Sequence, residues 1–120
     1  LHSPYTLSLH DALPIYETRP SARDLGELTF ARVTAHVLAI SITDDPFGTV
    51  PAIERLLNYF DRSERTHLRI APGDIGETQV GHFAFFRSEY KDRLWPIALA
   101  WLKHGELTPG TPGQCMATRA

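Results

Sequence analysis

The sequence predicts an α/β fold with a parallel crossover, and three segments carry the prediction: an apolar, β-branched run at residues 37–43 (VLAISIT), an amphipathic stretch after it, and a second strand-like run at residues 66–71 (THLRIA). The first run lacks strict alternation, which is the pattern of a strand buried on both faces of a parallel sheet. It stops at Asp44-Asp45-Pro46-Phe47-Gly48, a cluster of turn formers. Thr49 is a suitable N-cap, and Pro51 falls in the first turn of the following helix, where its missing N–H costs little. Val50, Ile53, Leu56, Leu57 and Phe60 then share one helical face. Strand, connecting helix, strand is the unit that builds parallel pairs.

The remaining elements follow in order. Residues 16–26 are polar and mixed in charge, with Pro20 and Gly26 as breakers, and predict a loop or short helix. Residues 61–65 are a charged connection, and Pro72-Gly73 ends the second strand. Residues 74–81 form a polar loop that delivers His82 ahead of an aromatic cluster, Phe83, Phe85 and Phe86. A last helix is expected over residues 96–103, burying Ile97, Ala100 and Trp101 and stopping at Gly105. Residues 106–120 are rich in Pro, Gly and Thr and are expected to be a disordered tail. Two strands and two helices cannot cover both faces of a parallel sheet, so the segment reads as the incomplete edge of something larger.

Composition narrows the function. A chain of 120 residues holds at most one small domain, and its formal charge of −2 favours no polyanionic partner. No nucleic-acid partner is therefore expected. No apolar run is long enough to span a bilayer. Cys115 is the only cysteine and cannot form an internal disulfide, which fits a reducing, cytoplasmic setting. Gly76 and Gly81 are not a phosphate loop, because no Lys-Ser/Thr pair follows them, and no cofactor motif is present. Residues 1–15, LHSPYTLSLHDALPI, resemble translated sequencing-adaptor DNA and are expected to be a non-native leader; such a junction would cut the gene off upstream.

Two places hold candidate chemistry. Asp44 and Asp45 lie at the carboxyl end of a strand, where open α/β sheets build their sites, although Asp before Pro is also ordinary turn chemistry. His82 follows a glycine-containing loop, although a lone histidine there has an equally ordinary structural role. Taken together they say more. An acid after one strand and a histidine after the next reproduce the last two members of the Ser…Asp…His order of α/β-hydrolases.

The stretches VLAISITDDPFGTVPAIERLL, THLRIAP and GHFAFFRSEYKDRLWPIALAWL resemble the end of a bacterial α/β-hydrolase family, the predicted, serine aminopeptidase-like or lysophospholipase-like hydrolases, over residues 28–105. The resemblance implies that residues 16–105 are the carboxyl-terminal edge of that fold, its last two parallel strands with flanking helices. It implies that Asp45 is the acid, with Asp44 the alternative, and that His82 is the general base. The intact protein would cleave a small-molecule ester, thioester or amide through an acyl-enzyme.

The departure from that pattern is the nucleophile. No Gly-x-Ser-x-Gly elbow occurs; Ser41 lies inside a strand, Ser63 in a charged turn, and Ser88 follows His82 in the wrong order. Without nucleophile and oxyanion hole the chain alone is expected to be inactive. A non-catalytic interaction module or pseudoenzyme remnant on the same fold edge is the alternative. A metal held by Asp44, Asp45 and His82, or shared by His36 and His67, lacks the close ligand spacing of a zinc site, and no metal is expected.

Overall fold

A computed structural model describes residues 29–118 and builds them around a three-stranded mixed sheet. Strand β1 (Val37–Ile42) runs parallel to β2 (Arg65–Ile70), in a register that sets Val37 opposite Arg65 and Ile42 opposite Ile70. Helix α1 (Val50–Asn58) connects them. Its N-cap is Thr49, whose Oγ1 accepts from the Ala52 N–H at 3.3 Å. After β2 come short 3₁₀ turns at Pro72–Ile75, Ala84–Phe86 and Ser88–Tyr90, then helix α2 (Trp95–His104), which ends at Gly105. The α/β character and the parallel pair match the expectation from sequence. Among the described residues no helix is long and apolar enough to cross a membrane.

The carboxyl-terminal tail differs from expectation. Gln114–Met116 forms a third strand, β3, antiparallel to β2, with His67 opposite Met116 and Arg69 opposite Gln114. β2 is therefore the central strand. Turn-rich composition hid this, but turns are what return a chain to a strand whose outer N–H and C=O groups need partners. Gly113 makes the approach possible. Its φ is 99°, and a Cβ there would lie 2.7 Å from the Arg69 carbonyl oxygen and 2.9 Å from Ile70 Cγ1. Leu107 packs against the core nearby, so this segment is tied down at two points.

Side-chain alternation divides the sheet into two unlike faces. Leu38, Ile40 and Ile42 of β1 share a face with Leu68 and Ile70 of β2, and the core grows from there through Ile75, Val80, Ala84, Tyr90, Leu94 and Ile97. The opposite face carries Ser41, His67 and Arg69, with α1 above it contributing Leu57 as its one buried residue. The helix does not bury the whole predicted stripe: Leu56 is 47% exposed. The reason is positional, since Leu56 lines a groove beside β1 and, among the described residues, is not part of the buried core. On α2, Ile97 is buried as expected, whereas Ala100 and Trp101 are only half-buried. Residues 1–28, which include the suspected leader and the segment at 16–26, lie outside the described residues.

Candidate active site

Parallel pairing puts the carboxyl ends of β1 and β2 on the same edge of the sheet, so the turn after β1 and the loop after β2 meet there. The turn is closed by the Asp45 N–H, which donates to the Ile42 carbonyl at 3.1 Å. Asp45 then folds its carboxylate back over the turn, with Oδ1 accepting from the Phe47 N–H at 2.8 Å. Its other oxygen, Oδ2, accepts from His82 Nδ1 at 2.8 Å. Gly48 lets the carboxylate occupy that position, because a Cβ on residue 48 would stand 2.7 Å from Oδ2.

Asp44 does something different. Its Oδ2 accepts from the Val80 N–H and its Oδ1 from the Gly81 N–H, both at 2.9 Å. One aspartate therefore grips the backbone of the histidine loop while its neighbour grips the ring. The loop is braced further along by Arg93, whose Nη1 donates to the Ile75 carbonyl and to Glu77 Oε1, both at 2.7 Å. The Asp44 brace comes from the turn that follows β1, and the Arg93 brace from the turn between the buried residues Tyr90 and Leu94.

The environment sets the electrostatics. The Asp45 side chain is 10% exposed and that of His82 is 40% exposed. Burial on its own would raise the Asp45 pKa. Hydrogen bonds from His82 and from the Phe47 and Gly48 N–H groups, with the charge of His82 added, outweigh it and hold the carboxyl below its usual value. Asp45 is thus an ionised acceptor, which fixes the proton of a neutral His82 on Nδ1 and leaves Nε2 as the nitrogen able to take or give a proton. The rings of Phe47 and Phe83 flank the imidazole edge-on, with centroids at 5.1 and 4.5 Å. The pair opens on a groove of about 570 Å³ that follows the outer edge of β1 and is walled by Leu38, Ile40, Leu56, Phe85 and Phe86.

Sequence reasoning named Asp44, Asp45 and His82, and the fold brings all three together. It left open which aspartate meets the ring; the geometry gives that contact to Asp45. The metal arrangement is not formed: Asp44 is turned onto backbone N–H groups, and among the described residues no group of three His, Cys, Asp or Glu side chains could hold a metal ion. His36 pairs with Glu64 at 3.2 Å and His67 bonds Ser41, so those two histidines are engaged separately. Ser63 donates to the Val33 carbonyl at 2.8 Å, a structural role. What the sequence reading missed is a polar network beneath the turn. Ser41 Oγ lies 2.6 Å from His67 Nε2, and Arg69 Nη1 donates to Ser41 Oγ at 2.9 Å and to the Gly48 carbonyl at 3.0 Å. The available signal was polar residues at alternate positions of two paired strands.

Comparison with protein-family models, curated proteins and solved structures finds no match to this chain. Fold and site therefore define the protein by architecture and chemistry: a small α/β unit that presents a carboxylate–imidazole pair at the carboxyl edge of its parallel strands.

Proposed function

We propose that this chain is the carboxyl-terminal part of a serine hydrolase of the α/β-hydrolase type, supplying the acid (Asp45) and the base (His82) of a Ser-His-Asp triad. The observation that carries this reading is the 2.8 Å contact between Asp45 Oδ2 and His82 Nδ1 across two loops that parallel pairing brings together. In that role Asp45 fixes the tautomer and stabilises the imidazolium. His82 Nε2 takes the proton of a serine hydroxyl as that oxygen attacks an ester, thioester or amide carbonyl, then returns it to the leaving group. The nucleophile and the oxyanion hole would come from chain preceding these residues, so the 120 residues alone are inactive in this reading.

The test is to recover the upstream reading frame and treat the extended protein with a fluorophosphonate probe. Labelling at a Gly-x-Ser-x-Gly serine, lost in His82→Ala, is the expected result. An upstream sequence without that elbow would sink the proposal. A second reading, a non-catalytic interaction module on the same fold edge, draws on Phe47, Leu56 and Phe86, which stand 71%, 47% and 81% exposed around the groove. Probe labelling of the extended protein would eliminate it.

A further inference from the structure

We infer that Arg69 is a positioning residue for the Asp45–His82 pair, acting through Gly48 and anchored on the buried Ser41–His67 pair. This rests on the reading of Asp45 as orienter and His82 as base, and it adds a residue on the adjacent strand that sets their geometry.

Gly48 joins the two systems. Its N–H donates to the Asp45 carboxylate, its missing Cβ leaves that carboxylate room, and its carbonyl accepts from Arg69 Nη1 at 3.0 Å. Asp44 is tied to the Val80 and Gly81 N–H groups, but the far half of the turn has less to hold it: Pro46 and Phe47 are exposed, and the Phe47 and Gly48 N–H groups bond only back to Asp45. Among the described residues, Arg69 is the only side chain that reaches from β2 to the far half of this turn.

The anchor beneath is well determined. Ser41 and His67 are 4% and 1% exposed, and no buried side-chain polar atom among the described residues lacks a partner. Burial, with the nearby charge of Arg69 added, lowers the His67 pKa, so its imidazole is neutral. Ser41 Oγ accepts from Arg69 Nη1 at 2.9 Å and shares a 2.6 Å hydrogen bond with His67 Nε2. Arg69 can only donate, and its Nη1 is held between the buried Ser41 hydroxyl and the Gly48 carbonyl. Both bonds leave the one nitrogen Nη1, whose two protons are fixed in the guanidinium plane, a directionality that the freely rotating ammonium of lysine lacks.

The experiment reads the His82 tautomer by ¹⁵N NMR of the 120-residue chain at a pH where the ring is neutral. In the wild type, Nδ1–H bonded to Asp45 should dominate. Arg69→Met should turn this into the minor species, with His82 moving to the Nε2–H form that unrestrained histidines favour, while the amide spectrum stays dispersed. A dispersed Arg69→Met spectrum with the wild-type tautomer overturns the inference. If Arg69→Met loses its dispersion, Arg69→Lys decides: it keeps the charge and stem, and a loss of Nδ1–H is expected there, whereas an unchanged tautomer overturns the proposal. A wild type already in the Nε2–H form overturns it together with the Asp45–His82 pair. Absence of probe labelling in the extended protein, with the tautomers behaving as expected, would remove the hydrolase reading and leave the positioning role standing.

Discussion

Asp44 offers the sharpest separation of scaffold from chemistry, because it holds the histidine loop without touching the histidine. Asp44→Ala removes two hydrogen bonds from backbone N–H groups to a carboxylate, those of Val80 and Gly81 at 2.9 Å. Hydrogen bonds to a charged group contribute about 1.5–3 kcal/mol when well buried. Only the Val80 bond is partly buried and the Gly81 bond is exposed, so about 1 kcal/mol for each is the better figure. A loss of about 2 kcal/mol is expected, a fall in Tm of roughly 10 °C for a unit of this size. Asp44→Asn should fall between, since an amide offers one oxygen to one N–H and points its own NH₂ at the other. Urea unfolding curves for wild type, Asp44→Asn and Asp44→Ala give the measurement. Asp44→Ala within about 0.5 kcal/mol of wild type, the range of ordinary surface substitutions, would refute the assignment of Asp44 as the loop clamp.

Other perturbations probe the turn, the pair and the tail. Gly48→Ala should push the Asp45 carboxylate off His82, since the added Cβ would stand 2.7 Å from Oδ2. A cost of about 1–3 kcal/mol and loss of the His82 Nδ1–H NMR resonance are expected, and an unchanged resonance would contradict the packing argument. The lowered pKa of Asp45 has a definite sign: its contribution to stability is complete above the unfolded carboxyl pKa of about 4 and disappears as pH falls through the lower folded value. Wild type should therefore lose stability more steeply than Asp45→Asn below about pH 4, and parallel acid limbs in a pH series of urea melts would count against it. Gly113→Ala meets backbone at 2.7 Å with φ at 99°, so it should release β3. Hydrogen exchange should then speed up at residues 114–116 while β1 and α1 keep their protection.

The elements that were legible in sequence are those with a local cause. The β-branched run at β1, the Thr49 cap with Pro51 behind it and the Gly105 stop each act over a few residues, and the fold follows them to within a residue or two. Asp45 and His82 were legible because their order along the chain coincides with where parallel strands deliver their loops. What escaped depended on distant partners. Asp44 could be recognised as a loop clamp only once the N–H groups of residues 80 and 81 were in place beside it. Arg69 carries no local signal in the sequence, because its role depends on Ser41 and Gly48 being brought beside it. β3 is three residues long, too short for a periodic signal, and its cause lies in the backbone of β2.

The adjacency of Asp44 and Asp45 has a mechanical consequence. The loop backbone and the imidazole are held by consecutive residues of one turn, so a rigid shift of the whole turn moves both ends of the Asp45–His82 contact together, whereas a change of shape within the turn, such as loss of the Gly48 support, moves only one. Motion of the sheet edge is then common to donor and acceptor and cancels in the distance between them. The 2.8 Å separation is a differential quantity, insulated from the movement of an edge that carries a large open groove. A carboxylate and an imidazole anchored on independent supports would have to be stiff; this pair has only to move together.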